Sequence, residues 1–252
     1  MKTYCVTDRG RRREINQDYV FCSEEPVGRL PNLFIVADGM GGHRAGDFAS
    51  RFAVEEFVRQ LGQSSVKTVI SAMEDALQQT NRRLLKEAQG RAELEGMGTT
   101  FVAATVVGTE LYVANVGDSR LYLIDREKIS QITQDHSLVE EMIRRGELRR
   151  EEARFHPNKN VITRALGANV NIVPDFFEVS VSPGDVVLLC SDGLSNMMDD
   201  SEIYRIVLEN RQNIAEAGGR LLTLANEYGG RDNISILLAV MEENQTCKAA
   251  EG

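Results

Sequence analysis

Aspartates stand beside three apolar runs of the chain. They are Asp38 after residues 33–37, Asp192 just after residues 186–190 and Asp232 before residues 234–240. Apolar and β-branched runs of this length predict buried strands, and the glycines that follow Asp38 let a ligand approach the backbone. If the strand ends converge, several carboxylates share one site, where like charges repel unless a cation compensates them. The pattern therefore predicts a carboxylate centre that holds more than one metal ion.

Two further acids, Asp18 and Asp118, lie at comparable strand junctions. The candidate ligands are all oxygen atoms, from Asp18, Asp38, Asp118, Asp192, Asp232 and the backbone carbonyl of Gly39. All-oxygen ligation suits Mg²⁺ or Mn²⁺, and the lack of clustered cysteines and histidines argues against zinc. Two such ions roughly 3.5–4 Å apart lower the pKa of a bridging water and orient phosphate oxygens for in-line displacement. The set predicts phosphoester hydrolysis, while a turn or an N-cap is the competing interpretation of any single Asp-Gly pair.

Arg13 is a candidate phosphate ligand. It stands five residues before Asp18, so a turn would bring its guanidinium beside the acids. Bidentate geometry suits a pair of phosphate oxygens there. Three consecutive arginines also fit a solvated loop, which is the interpretation for Arg11 and Arg12. For Arg13 the spacing alone leaves both interpretations open.

The composition is that of an ordinary globular domain. The 252 residues include 42% hydrophobic and 27% charged residues, with a net charge of -9 and no Pro/Ser-rich linker in the middle. We expect one domain over residues 1–242 and a disordered tail over residues 243–252. The negative charge disfavours nucleic acid and anionic membranes as partners. The four cysteines have no C-x-x-C spacing, and no run suits a signal peptide or a membrane helix, so we expect a cytoplasmic protein. We also expect a monomer.

The elements that would position the acids are strands and paired helices. Helical spacing predicts amphipathic helices over residues 45–61, over 66–88, from 199 to 207 and over 213–227. The second helix follows Ser64-Ser65, and Ser137 begins a capping box before a short helix. A hairpin is predicted for residues 98–107 and 110–116. Paired helices between groups of hairpin-connected strands favour antiparallel sheets flanked by helices over a doubly wound parallel sheet.

Six segments of the chain form an ordered series of motifs. They are Arg13-Glu14-Ile15-Asn16-Gln17-Asp18, Val36-Ala37-Asp38-Gly39-Met40-Gly41-Gly42-His43, Gly98-Thr99-Thr100, Gly117-Asp118-Ser119-Arg120, Ser191-Asp192-Gly193-Leu194 and Gly230-Arg231-Asp232-Asn233. In this order they resemble the motifs of the metal-dependent protein serine/threonine phosphatases of type 2C, in their short bacterial form. The resemblance implies an α+β fold, a four-layer α-β-β-α sandwich of two antiparallel sheets flanked by helix pairs. It also implies a flap segment at about residues 137–166 that shapes substrate access.

The resemblance assigns two tightly bound Mn²⁺ or Mg²⁺ ions to four of the candidate ligands. Asp38 would bridge both ions, and the Gly39 carbonyl would bind the second. Asp192 and Asp232 would bind the first ion.

The remaining candidates take supporting roles by the same resemblance. Asp18 would act mainly through metal-bound waters, and Arg13 would hold the phosphate. Asp118 would share a third, weaker ion with Asp192.

Two positions depart from the family pattern. Many relatives have glutamate where Gln17 stands, so one water-mediated contact to the second ion loses its charge. Eukaryotic relatives have a histidine, treated as the general acid, where Met40 stands. The nearest histidine here is His43, for which we expect a structural role in the glycine loop, and a metal-bound water could protonate the leaving alcohol instead.

The resemblance implies a phosphoprotein phosphatase that hydrolyses phosphoserine and phosphothreonine by attack of a metal-bridging water and opposes a bacterial Ser/Thr kinase. One alternative is a phosphatase dedicated to an anti-sigma-factor antagonist, although such proteins usually carry sensor domains. Another is an inactive metal-binding regulatory module, against which the intact acid set argues. A two-metal phosphodiesterase acting on nucleotides or nucleic acid is disfavoured by the net charge of -9.

Overall fold

The computed structural model describes residues 1–42, 45–89 and 91–242. His43 and the tail over residues 243–252 lie outside the described residues. The strands are β1 (Lys2–Asp8), β2 (Asp18–Ser23), β3 (Leu33–Met40), β4 (Gly98–Thr99), β5 (Phe101–Val107), β6 (Glu110–Val116), β7 (Arg120–Ile124), β8 (Ile129–Gln131), β9 (Asp175–Ser180), β10 (Val186–Cys190) and β11 (Ile234–Val240). The α-helices are α1 (Ala45–Gln63), α2 (Val69–Ala88), α3 (Leu138–Arg144), α4 (Arg150–Ala153), α5 (Asp192–Ser195), α6 (Asp200–Glu209) and α7 (Ile214–Glu227), with a short 3-10 helix over Ala92–Leu94.

The strands form two sheets, and the pairings between named strands of the described residues are antiparallel. One sheet has the order β1-β11-β10-β7-β8, and the other has the order β2-β3-β5-β6-β9 with β4 beside β3. Cys190 at the end of β10 pairs with Ile236 near the start of β11, so Asp192 and Asp232 lie at the same end of their sheet. In the other sheet Asp18 is directly opposite Asp38.

The central strands are apolar on both faces because both faces are covered. In β3, Phe34 and Val36 face the core between the sheets, whereas Leu33, Ile35 and Ala37 face the core under the first helix pair. Full burial of a large aliphatic or aromatic side chain stabilises the fold by about 1.5–3 kcal/mol. The two-sided burial therefore explains why β3 is a continuous apolar run rather than an alternating one.

Helix pairs cover the two outer faces of the sandwich. Helices α1 and α2 bury Phe57 and Leu77 against the six-stranded sheet. Helices α6 and α7 bury Ile203 and Leu221 against the five-stranded sheet. The expected α+β fold, a four-layer α-β-β-α sandwich, is confirmed. None of the helices in the described part of the chain has the length and apolarity that a membrane crossing needs.

One predicted helix boundary is wrong. Helix α2 begins at Val69 rather than at Val66 after Ser64-Ser65, because Thr68 is its N-cap and accepts a hydrogen bond from the Ser71 N–H at 3.3 Å. Ser64 instead accepts a hydrogen bond from the Val66 N–H at 3.2 Å in a separate turn. Both residues are good N-caps by type, so local sequence did not distinguish them.

The predicted flap segment, residues 137–166, is joined to the rest of the molecule at its ends. Ser137 forms a β-bridge with Ile162, and Leu166 forms one with Thr99 next to the end of β3. Ser137 is also the N-cap of α3, as predicted, and its Oγ accepts a hydrogen bond from the Glu140 N–H at 3.3 Å. The base of the segment therefore has a defined position beside the strand that carries Asp38.

Candidate active site

The acids of both sheets meet at a cleft at one end of the sandwich. The cleft encloses about 240 Å³. Its wall is formed by Arg13, Gln17, Asp38, Gly39, Met40, Gly41, Thr100, Asp118, Asn160, Ile162, Asp192, Asp232 and Asn233. The cleft is therefore lined by every candidate residue of the sequence analysis except Asp18, which lies behind the wall.

Asp18 joins the two sheets behind the cleft. Its Oδ2 accepts hydrogen bonds from the hydroxyls of Ser191 and Ser235, both at 2.7 Å. Its Oδ1 is buried and has no hydrogen-bond partner among the described residues. The pKa of Asp18 is raised to about 7: burial and the charges of Asp192 and Asp232 raise it, and the two serine hydroxyls partly offset this rise. A cation near Asp18 would favour its ionised form.

Asp38 is fixed at the end of β3 by Thr100. The Asp38 N–H donates to Thr100 Oγ1 at 2.9 Å, and the Thr100 N–H donates to the Asp38 carbonyl at 2.9 Å. Burial raises the pKa of Asp38 well above its usual value, and the charges of Asp18 and Asp192 raise it further. The backbone thus holds in place a carboxylate whose charge needs compensation.

The residue after Asp38 has no room for a side chain. A Cβ atom at Gly39 would collide with the carbonyl oxygens of Gly46 and Gln17. The Gly39 N–H donates to the Gln17 carbonyl at 3.0 Å. Only glycine allows this close approach of three backbone segments, which places Gly39 in the cleft wall.

Asp192 and Asp118 separate the cleft from a second cavity. That cavity, of about 340 Å³, is lined by both aspartates and by residues of the flap segment. Asp192 Oδ2 accepts a hydrogen bond from the Asn196 amide at 2.9 Å, whereas its Oδ1 is buried without a hydrogen-bond partner among the described residues. Burial raises the pKa of Asp192 to about 6, with a further contribution from Asp232. Burial, followed by the charge of Asp192, also raises the pKa of Asp118 well above its usual value.

Asp232 forms an ion pair with Arg13 in the cleft. Arg13 Nη2 lies 2.7 Å from Asp232 Oδ2, and the arginine side chain is 50% exposed. The hydrogen bond to Asp232 raises the pKa of Arg13. The arginine therefore lies beside the acids, as the turn interpretation predicted, and its partner in the structure is a carboxylate.

The donor set fits hard divalent cations. Two buried oxygens, Asp18 Oδ1 and Asp192 Oδ1, lack hydrogen-bond partners within the described residues. The neighbouring carboxylates raise one another's pKa, so a positive charge among them is favourable. No three Asp, Glu, His or Cys side chains of the described ranges are arranged to hold an ion by themselves. The set therefore suits Mg²⁺ or Mn²⁺ ions that keep several water ligands.

Known proteins are similar to this sequence over most of its length. Residues 7–227 match the model of the family described as Protein phosphatase 2C. The chain belongs to the protein phosphatase 2C family. Serine/threonine phosphatase Stp of Listeria innocua is 42% identical over 238 residues, which cover 92% of each chain. Protein phosphatase PhpP of Streptococcus pneumoniae is 40% identical over 250 residues, which cover 96% of this chain and 98% of PhpP.

Solved structures of type 2C phosphatases have the same fold. The serine/threonine phosphatase of S. agalactiae superposes with a TM-score of 0.88 at 36% identity, covering 96% of this chain and 99% of that chain. The catalytic domain of PstP, solved in complex with 2 manganese ions, superposes with a TM-score of 0.83 at 31% identity, covering 96% of this chain and 98% of its own. The expected family and enzyme class are confirmed: the protein is a protein serine/threonine phosphatase of a metal-dependent family.

Asn233 is a structural residue of this type 2C site that the sequence analysis did not assign. Its amide donates to the carbonyls of Arg9 and Ile15, both at 3.0 Å, and its Oδ1 accepts from the Gln17 N–H at 2.8 Å. It therefore holds the segment that carries Arg13. Its place beside an aspartate in the last motif was the available signal, but Arg9 lies 224 residues away in sequence.

Proposed function

We propose that the acids around the cleft bind the metal ions of a phosphoprotein phosphatase. The ligands of two Mn²⁺ or Mg²⁺ ions would be Asp38, Gly39 through its carbonyl, Asp192 and Asp232, with Asp18 acting through water and Asp118 sharing a weaker third ion with Asp192. The observation that carries this proposal is that acids of both sheets converge on one site, where two buried carboxylate oxygens have no hydrogen-bond partner among the residues that the structure describes. When bound, the ions would supply Lewis acidity that lowers the pKa of the attacking water and offsets phosphate charge.

Arg13 would hold the phosphate group of the substrate. Its guanidinium is half exposed and already lies beside the acids, so a phosphate can reach it. A bidentate contact from Arg13 to two phosphate oxygens would replace the one hydrogen bond that Arg13 Nη2 donates to Asp232. The exchange would leave Asp232 free to act as a metal ligand.

The cleft wall limits the choice of general acid. Met40 lies in the wall, and the described residues that line the cleft include no histidine, cysteine, lysine or tyrosine. We propose that a water molecule in the cleft protonates the departing serine or threonine oxygen, and His43 lies outside the described residues.

The substrates would be proteins that carry phosphoserine or phosphothreonine. The relatives named serine/threonine phosphatase support this class, and a net charge of -9 disfavours nucleic acid as a substrate. The enzyme would thus reverse the action of a Ser/Thr protein kinase in the cytoplasm, and it would act as a monomer.

The test compares three substrates with Mn²⁺ and with EDTA. We expect hydrolysis of para-nitrophenyl phosphate and of a phosphothreonine peptide with Mn²⁺, neither with EDTA, and no hydrolysis of a phosphodiester. Asp38→Asn and Asp192→Asn should each keep less than about a tenth of the wild-type kcat. Asp75→Asn, on the exposed face of α2, is the matched control and should keep full activity. Undiminished hydrolysis in EDTA, or higher activity in either cleft variant, would contradict the proposal.

A further inference from the structure

His136 is a buried residue that precedes the flap segment and holds the loop carrying Asp118. Its side chain is only 4% exposed, and it does not line the cleft. The Gly117 N–H donates to His136 Nδ1 at 3.1 Å, and the His136 N–H donates to the Gly117 carbonyl at 2.9 Å. One histidine therefore binds both the amide and the carbonyl of the residue directly before Asp118.

The hydrogen bonds of the ring define which nitrogen carries the proton. Because Nδ1 accepts from an amide, the proton lies on Nε2, which donates to Asp175 Oδ2 at 3.0 Å. Arg164 Nη1 lies 3.2 Å from Nε2, but it donates to Asp175 Oδ1 at 3.0 Å and to the Val173 carbonyl at 3.2 Å. Burial and the charge of Arg164 lower the pKa of His136, which favours this neutral form.

The other side of Asp118 is joined to Asp38. Ser119 Oγ lies 2.7 Å from Thr100 Oγ1, and Thr100 Oγ1 accepts the hydrogen bond from the Asp38 N–H at 2.9 Å. Gly117 packs so closely on Thr100 that a Cβ atom would lie 2.6 Å from the Thr100 Cβ, and its φ of 110° also favours glycine. Asp118 is thus held between two fixed neighbours in the chain.

His136 also connects this loop to both ends of the flap segment. Its carbonyl accepts a hydrogen bond from the Thr163 N–H at 2.8 Å. The next residue, Ser137, begins the segment and bridges to Ile162. A movement at the base of the flap segment would therefore reach Gly117 through a single residue.

We propose that His136 is a positioning residue that fixes Asp118 relative to Asp38 and couples the base of the flap segment to that loop. The inference rests on the proposed role of Asp118 as a ligand of the weaker ion. Residues that orient a metal ligand from behind typically contribute about 10–100-fold in metal affinity or activity. Since His136 does not line the cleft, its loss should change the Mn²⁺ requirement and kcat, and leave KM for a phosphopeptide within about twofold.

Two substitutions of His136 test the roles of its two ring nitrogen atoms separately. His136→Asn keeps a hydrogen-bond acceptor near the position of Nδ1, whereas His136→Gln reaches toward Asp175 and loses the acceptor for the Gly117 amide. We expect His136→Gln to raise the Mn²⁺ concentration for half-maximal activity by about tenfold or more, and His136→Asn to stay within about threefold of wild type. His156→Asn makes the same type of change inside the flap segment and should match wild type.

Amide hydrogen exchange in EDTA-treated protein provides a readout that needs neither metal nor activity. We expect the Gly117 amide to exchange at least about tenfold faster in His136→Gln than in wild type, because it loses its acceptor. In His136→Asn and His156→Asn it should exchange at close to the wild-type rate. Gly117 exchange that stays at the wild-type rate in His136→Gln would overturn the positioning role.

A double variant tests whether His136 acts through Asp118. The pair His136→Gln with Asp118→Asn should be no less active than Asp118→Asn alone, since both changes affect one ligand. A double variant whose loss of activity equals the product of the two single losses would overturn the inference. Thermal melting monitors folding, and if His136→Gln does not fold, the Mn²⁺ requirement of Asp175→Ala is measured instead, because this change removes the acceptor of Nε2. A wild-type requirement in that variant would then overturn the inference. A wild-type Mn²⁺ requirement in Asp118→Asn would refute the proposed role of Asp118, and the exchange rates alone would then decide the role of His136.

Discussion

Replacing Ser235 by alanine tests whether Asp18 joins the two sheets. Ser235 is fully buried, and its hydroxyl donates to Asp18 Oδ2 at 2.7 Å and pairs with Thr7 Oγ1 at 2.8 Å. A hydrogen bond to a charged group contributes about 1.5–3 kcal/mol, and a bond between neutral groups about 1 kcal/mol. With a pKa of about 7, Asp18 is mostly ionised at pH 8. We therefore expect Ser235→Ala to lower the free energy of unfolding by about 2–4 kcal/mol at that pH.

Urea unfolding at pH 8 in EDTA measures this loss, and two further variants assign it. Thr7→Val removes the second bond and also the exposed one that Thr7 Oγ1 accepts from the Asn16 amide at 2.8 Å, so it sets an upper limit on the second bond and should cost about 1–2 kcal/mol or less. In an Asp18→Asn background the cost of Ser235→Ala should fall by about half or more, because the charge is gone. A loss below about 0.5 kcal/mol, or the same loss in both backgrounds, would refute the reasoning.

Three other outcomes follow from the structure. Arg13→Ala should raise KM by about 10–100-fold because the phosphate contact is lost. The Tm should change little, because a half-exposed ion pair contributes about 0–1 kcal/mol to stability. An unchanged KM would support the solvated-loop interpretation of Arg13. The pKa values of Asp18 and Asp192 are raised to about 7 and about 6, so above about pH 4 the metal-free folded protein binds more protons than the unfolded chain. The free energy of unfolding in EDTA should therefore fall from pH 5 to pH 8. A free energy of unfolding that rises over this range in urea experiments would contradict the prediction. The hydrogen bond from Cys22 lowers the pKa of Cys5 to about 6, so iodoacetamide at pH 7 should label Cys5 rapidly. Cys22→Ala should slow this labelling, and equal labelling rates in the variant and the wild type would exclude the hydrogen bond between Cys5 and Cys22.

The strands that position the acids could be predicted from local sequence. Because β3, β10 and β11 are buried on both faces, each is largely an apolar run, interrupted in β11 by Ser235, and an aspartate stands in or next to one end of each run. That signal was enough to place Asp38, Asp192 and Asp232 at strand ends. The order of the strands is a different matter, since β1 pairs with β11 from the far end of the chain. No local pattern specifies such a pairing, and the sequence analysis did not predict it.

The hydrogen bonds behind the cleft could not be predicted because they join distant parts of the chain. Ser191 and Ser235 lie 173 and 217 residues from Asp18, and a small hydroxyl in an apolar run has the same local pattern whether or not it binds a carboxylate. Arg13 was placed near the acids by a turn argument, but its pairing with Asp232, 219 residues away, depends on the packing of the two sheets. Local chemistry thus identified the charged groups, and the tertiary structure determined their partners.

Calorimetric titration of EDTA-treated protein with Mn²⁺ measures directly whether the aspartates of the cleft form a metal centre. We expect the wild type to bind two ions tightly and one weakly, and Asp75→Asn to do the same. Asp38→Asn should lose tight binding while thermal melting shows that it remains folded. An Asp38→Asn variant that binds two ions with wild-type affinity, and hydrolyses a phosphothreonine peptide at more than about a tenth of the wild-type rate, would contradict the assignment of the metal centre.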